Sequence, residues 1–201
     1  MPSQGKVLKG YVKTESMILL LLAALALGFV GGAMFSAYRL GNGVSASGSS
    51  GAQIPITPQQ KEMIASLIRQ TEAEPKNVNA WTQLGHVYFD TDQPAKAIRA
   101  YETSLALEPN RPDVWTDLGV MYRRTGDPQK AIQEFDHALS IKPDHQIALF
   151  NKGVVLLHDL KDAKGALEAW EKLLAINPDA RTPGGQPLKP IVEQLKKNGV
   201  S

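Results

Sequence analysis

Cysteine is absent from all 201 residues. That one gap excludes disulfide staples, thiolate metal sites and cysteine nucleophiles together. It leaves the redox compartment open, because helical arrays need no disulfides in either environment. Catalytic spacing is missing as well. The four histidines, His86, His137, His145 and His158, form no H-E-x-x-H pattern, and no two stand with a carboxylate at metal-ligand spacing. Gly184-Gly185 follows no strand and has no lysine placed to cradle a phosphate. No Ser-His-Asp constellation can be assembled. The chain is therefore expected to hold no metal or cofactor and to catalyse no reaction.

A basic excess is also lacking. Net charge is +2, and Lys6, Lys9, Lys13 and Arg39 account for most of the imbalance, against Glu15 alone. Beyond residue 40 there remain 18 Lys and Arg against 19 Asp and Glu. So balanced a domain has no electrostatic footprint for nucleic acid, which is excluded as a partner.

Charge is missing altogether from Met17 to Tyr38 (MILLLLAALALGFVGGAMFSAY), a run of 22 residues. At about 1.5 Å per residue this crosses a hydrocarbon core of about 30 Å. No polar face interrupts it, so a buried core helix does not account for it. A cleaved signal peptide is the rival reading, with Gly31-Gly32-Ala33 as a small-x-small cleavage site. Against cleavage, the apolar stretch continues past Ala33 and exceeds the usual signal core of about 7–15 residues. Three lysines precede the span and one arginine follows it. The positive-inside bias then keeps residues 1–16 in the cytoplasm as a short basic tail. The remainder is sent across, to the periplasmic or other extracytoplasmic side. Ala24, Gly28, Gly32 and Ser36 recur every fourth residue, so Gly28 and Gly32 offer a face for self-association in the bilayer. Residues 39–57, with Gly41 to Gly51 reading GNGVSASGSSG, form a flexible Gly/Ser linker.

Beyond the linker, one pattern repeats. Trp81-x-x-Leu84-Gly85-x-x-Tyr88 returns thirty-four residues later as Trp115-x-x-Leu118-Gly119-x-x-Tyr122. Ala97, Tyr101 and Pro109 return as Ala131, Phe135 and Pro143 at the same step. A third copy is in phase at Gly153, then runs one residue late through Ala166, Trp170 and Pro178. Self-similarity at this period marks stacked helical pairs, each unit burying its apolar face on its neighbour. The i, i+3, i+7 spacing of Trp81, Leu84 and Tyr88 gives the buried face of a first helix. Gly85, Gly119 and Gly153 are expected to face Ala97, Ala131 and Ala166, so that paired helices approach closely. Pro94 and Pro128 suit the first turn of each second helix, and Asp127 its N-cap. Asn110, Asp144 and Asp179, each after a terminating proline, are expected to cap the next helical start.

The motif resembles the tetratricopeptide repeat, over units 78–111, 112–145 and 146–180. The third departs from it, with Leu149, Lys152 and Leu156 where Trp, Leu and Tyr would stand. The resemblance implies an all-α protein: a right-handed α-α superhelix of three such units, preceded by the single transmembrane helix 17–38. Residues 58–74 carry Met63, Ile64, Leu67, Ile68 and Thr71 on one side and read as an N-terminal capping helix. Residues 187–197, with Ile191, Val192 and Leu195, read as a C-terminal cap.

In relatives of this kind the inner surface of the superhelix receives a polypeptide. The positions lining it here are Asn79, Thr82, His86 and Phe89 in the first unit. The second contributes Asp113, Thr116, Val120, Arg123 and the adjacent Arg124. The third contributes Ile147, Phe150, Val154 and Leu157, with Asn151 and His158 nearby. Thr82 and His86 occupy the places where some relatives hold a terminal carboxylate with lysine and asparagine, so that clamp does not carry over. Arg123 and Arg124 are either an anion-holding pair or a solvated edge. The apolar third set either receives hydrophobic anchors or packs beneath residues 182–197. The expected function is a membrane-anchored interaction scaffold, or chaperone-like module, that holds a polypeptide partner. Its layout is similar to envelope proteins that assist c-type cytochrome maturation. The alternative is a structural subunit or assembly factor of an envelope complex, in secretion, translocon or cell-wall machinery.

Overall fold

A computed structural model describes residues 55–197. The tail 1–16, the expected span 17–38 with Gly28 and Gly32, and the linker up to residue 54 lie outside the described residues. Among the described residues, no helix is long and apolar enough to cross a membrane.

Eight helices follow one another, and all the described regular structure is helical apart from one isolated bridge between Arg181 and Pro187. They are α1 (Pro58–Ala73), α2 (Val78–Asp90), α3 (Pro94–Leu107), α4 (Pro112–Arg124), α5 (Pro128–Ile141), α6 (Gln146–His158), α7 (Ala163–Ile176) and α8 (Leu188–Lys197). Each packs on the next, so the chain stacks in sequence order as helical pairs α2/α3, α4/α5 and α6/α7. Helices α4 and α6 touch each other as well. Side chains link α2 to α4 as well, His86 with Asp117 and Arg124 with the Phe89 carbonyl, so the first helices of the three pairs are neighbours.

Local chemistry sets the helix ends. Prolines open α1, α3, α4 and α5, where a missing N–H costs nothing. Thr57 and Gln60 make a reciprocal capping box for α1, and Asp127 accepts from Lys130 N at 3.1 Å. The expected caps Asn110 and Asp144 do not serve. The cap residues are Arg111, without a side-chain bond, and His145, whose Nδ1 accepts from Ala148 N at 3.2 Å. Asp179 begins no helix; its N–H donates to Asn177 Oδ1 instead. The turns within the pairs are of one kind. Asp92, Gly126 and Lys161 hold equivalent places with φ of 52°, 82° and 59°. The third turn has one more residue than the others, which is the origin of the phase lag.

Packing inside each pair differs from expectation in one respect. A Cβ added at Gly85 would strike the Tyr101 ring, and one at Gly153 the Trp170 ring. At Gly119 it would lie 2.6 Å from the Phe135 ring and 3.0 Å from the Ala131 carbonyl oxygen. The partner of each glycine is thus the aromatic ring four residues beyond the expected alanine. Tyr101 and Phe135 are wholly buried, and Trp170 nearly so. Trp170 Nε1 donates to Phe150 O at 3.1 Å, whereas the Tyr101 hydroxyl is buried without a partner. Outside the pairs, Trp81 and Trp115 donate their Nε1 to Pro75 O and Pro109 O, at 2.9 and 2.7 Å. The same indole thus pins the chain six residues before it in both units.

Both ends are covered. Leu67 and Thr71 of α1 are buried and Ile64 and Ile68 half-buried, but Met63 is 53 % exposed and stands apart from that face. Leu188 and Val192 of α8 join Leu149, Leu167, Trp170 and Leu173 in one cluster, with Ile191 and Leu195 at its margin.

Two substitutions of opposite sign test this packing, read by urea unfolding followed by circular dichroism. Gly119→Leu is expected to lower the unfolding free energy by at least about 2 kcal/mol through overpacking against Phe135. Tyr101→Phe removes an unpaired buried hydroxyl and reproduces the residue at the equivalent place in the next unit. It is expected to leave stability unchanged or raise it by about 1 kcal/mol.

Candidate functional site

The first helices α2, α4 and α6 carry every residue expected to line the groove, but the structure divides them. Asn79, His86, Asp113, Arg124, Ile147 and His158 are exposed; Phe89, Val120, Arg123, Phe150, Asn151, Val154 and Leu157 are half-buried. Thr82 and Thr116 are buried and offer nothing to a ligand. Their hydroxyls donate to the carbonyls four residues earlier, Val78 and Pro112, at 2.9 and 2.8 Å. A residue one turn along the same stripe thus falls beneath the surface, because the next pair packs over it.

What packs there is the junction between units. Arg111 Nη1 donates to Thr82 Oγ1 at 2.7 Å and reaches Ser104 Oγ at 3.4 Å, while Thr82 and Ser104 are themselves 2.7 Å apart. Thirty-four residues on, His145 occupies the same place, 4 % exposed. Its Nε2 lies 2.8 Å from Asp113 Oδ1, and its Nδ1 accepts from the Ala148 amide. Nδ1 as acceptor fixes the tautomer, so Nε2 is protonated and donates its hydrogen bond to Asp113 Oδ1. Both residues escape a motif reading, because the repeat signature names no residue at the junction. The signal that finds them is polar character at one repeating position.

Arg123 and Arg124 do not stand free as an anion-holding pair. Arg124 lies 3.5 Å from Asp92, donates to Phe89 O at 3.1 Å and stacks 4.3 Å above the Phe89 ring, all in the first unit. Arg123 Nε meets Asp159 Oδ2 of the third unit at 2.5 Å. One arginine pair on α4 therefore ties the second unit to both neighbours. His86 adds a contact to Asp117 at 3.3 Å. The remaining histidines are similarly placed: His137 stacks on Trp115, 4.7 Å between centroids, and His158 is exposed at the end of α6. Among the described residues, no three His, Asp or Glu side chains gather as a metal site.

The apolar third set is largely covered. Phe150, Val154 and Leu157 pack against the cluster that includes Leu188 and Val192 of α8. Only Ile147, at 61 % exposure, remains in the open. Three of the four members of this stripe are thus half-buried beside a cluster that α8 joins, and Phe150 keeps part of its surface open.

Elsewhere, Tyr122 donates its hydroxyl to Glu102 at 2.5 Å, and burial together with that bond raises the phenol pKa. Glu134 on α5 is half-buried with Oε2 unpartnered. Burial pushes its carboxyl pKa above the ordinary glutamate value; His137 and Lys130 oppose the shift and Glu102 adds to it. A carboxyl raised in the folded state binds more protons there than when unfolded. Stability therefore falls as pH rises from the ordinary glutamate range through the raised value. Glu134→Gln is expected to remove that fall and to make the protein more stable than the parent at pH 7, measured by urea unfolding from pH 4 to 8.

Comparison with known proteins follows this geometry. Residues 84–152 match the family model of the tetratricopeptide repeat. No curated protein matches the chain in sequence. Among solved structures, the crystal structure of MamA aligns with a TM-score of 0.57 at 23% identity, covering 60% of this chain and 72% of that one. The first TPR of Spaghetti (RPAP3), bound to the HSP90 peptide SRMEEVD, aligns at 0.54 and 17% identity, covering 62% and 94%. PilF of Pseudomonas aeruginosa aligns at 0.54 and 22%, covering 61% and 55%. At such identities the likeness to these structures is one of fold.

Proposed function

We propose, the chain being a tetratricopeptide-repeat protein, that it is an interaction scaffold holding an extended polypeptide along the inner faces of α2, α4 and α6, with no chemistry of its own. The observation that carries this is that α2 meets α4 through His86–Asp117 and Arg124–Phe89, and α4 meets α6, with Asn79, His86, Asp113 and Ile147 exposed along them. A stack of this kind is stiffened from within by its junction contacts and offers its partner a surface that needs little reorganisation. The related fold of the Spaghetti repeat is seen with a peptide bound, which supports the same use here.

The finer reading places this scaffold at a bilayer. Residues 17–38 anchor it, the basic tail stays in the cytoplasm, and the linker lets the repeats search the extracytoplasmic side. The layout favours a partner that reaches that side as an unfolded segment, as in c-type cytochrome maturation.

A photo-reactive amino acid at Asn79 or Ile147 in the full-length protein is expected to give polypeptide adducts in membranes. The same group at exposed Gln133 on α5 serves as the control. Equal labelling at all three places would remove the inner face as the binding surface. The full chain is expected to resist carbonate extraction and a chain lacking residues 17–38 to be released. Release of both would remove the anchor. Binding of apocytochrome peptides no better than their scrambled counterparts would end the maturation reading.

A further inference from the structure

The junction position filled by Arg111 and then His145 is filled in the third unit by Ala180, one residue late like the rest of that copy. The residues that Arg111 touches, Thr82 and Ser104, become Phe150 and Leu173 by the same step. A plug that is a long polar side chain at the first junction and an imidazole at the second is a methyl group at the third. A cavity of about 350 Å³ opens there, with Phe150, Leu173 and Ala180 among its walls and Ile147 beside them. Such a volume falls within the range of sites that accept a ligand group.

Its chemistry is specific. Arg181 is the one charged residue lining it, adjacent to the missing plug. That guanidinium donates to Gly185 O at 2.9 Å and, among the described residues, meets no carboxylate within ion-pair distance. Asn177 is occupied by Gln146, at 2.9 Å, which fixes one rim. Asn151, also in the lining, makes no side-chain hydrogen bond among the described residues. An open notch walled by Ile147, Phe150 and Leu173, with one cation and the Asn151 amide also in its lining, fits an extended segment carrying an apolar side chain followed by a carboxylate.

We infer that this third-junction cavity is a docking subsite for a partner polypeptide, seating an apolar side chain on Phe150 and Leu173 and the next residue's carboxylate on Arg181. This rests on the scaffold reading and adds to it the place and the residue types recognised. The partner's side chain supplies here what Arg111 and His145 supply at the other two junctions. The fixed charge makes the choice selective, because a basic residue following the anchor would face Arg181.

The test uses the full-length protein in detergent and three fluorescent, end-blocked hexapeptides that differ only at the central pair: leucine–glutamate, leucine–glutamine and serine–glutamate. Anisotropy titration is expected to show the first binding about tenfold tighter than the second, the worth of one charge-assisted hydrogen bond. Arg181→Gln is expected to erase that difference. Ala180→Arg, which restores the plug of the first junction, is expected to abolish binding while its melting temperature stays at or above the parent's. Ala180→Gln serves as a milder plug if the arginine destabilises the fold. Binding to a plugged variant as strong as to the parent would overturn the subsite, as would equal affinity for all three peptides. Absence of peptide binding with photo-adducts retained at Asn79 would overturn the subsite alone. Loss of both would overturn the scaffold reading with it. A plug that instead converts a dimer into a monomer would show the cavity to be filled by a second copy of the chain, and would overturn the proposal too.

Discussion

A ring resting where a side chain is missing is the contact on which this stack depends. Each pair of helices brings a glycine of the first against an aromatic of the second: Gly85 with Tyr101, Gly119 with Phe135, Gly153 with Trp170. The absent Cβ lets the ring lie directly on helical backbone, and burying one such ring contributes about 2–3 kcal/mol. The ring has changed from phenol to phenyl to indole while the glycine has not. The constraint is therefore on the side that must be empty. What fills the space need only be flat, apolar and large.

Once the pairs are fixed, the relation between them is set by polar contacts, which is unusual for a buried position. Half-buried Arg111 reaches the buried Thr82 and Ser104 at the first junction, and the buried His145 bridges exposed Asp113 and the Ala148 amide at the second. Polar groups in such places cost free energy unless satisfied, and here nearly every atom is. Arg123 and Arg124 add surface ties from the middle unit to both others. Each such tie is worth at most about 1 kcal/mol. Their value lies in direction: they run between units where apolar packing alone would permit sliding.

The fold was legible because its signals are periodic. Trp81, Leu84, Gly85 and Tyr88 recur as Trp115, Leu118, Gly119 and Tyr122, and prolines mark helix starts at Pro94 and Pro128, so helix type and order follow from spacing. The pairing of glycine with an aromatic ring instead of alanine was not legible, since Ala97 and Tyr101 share a helix face and only the crossing geometry chooses between them. The surface was harder still. Thr82 and Thr116 share a stripe with Asn79 and Asp113, and nothing local distinguishes buried from exposed; the neighbouring unit decides. Arg123 and Arg124 look like a free basic pair until Asp92, Phe89 and Asp159 are placed, thirty-odd residues away in either direction. His145 resembles any surface histidine in sequence and is instead a helix cap and a wedge.

The two ends of the array differ in a way that bears on its use. At the amino-terminal end α1 lays Leu67 on the first pair. At the other end α8 lays Leu188 and Val192 on the third, but begins only after residues 177–187, where the earlier units reach their next helix through the shorter connections 108–111 and 142–145. That connection carries Ala180 at the position where the earlier ones carry Arg111 and His145. The packing of Phe150, Val154 and Leu157 against the cluster that α8 joins and the opening beside Ile147 both lie at this departure from the repeat. A solenoid must stop somewhere, and the way this one stops closes most of an apolar stripe while leaving one notch beside a cation. The two earlier junctions carry a polar side chain at the place where the third carries a methyl group.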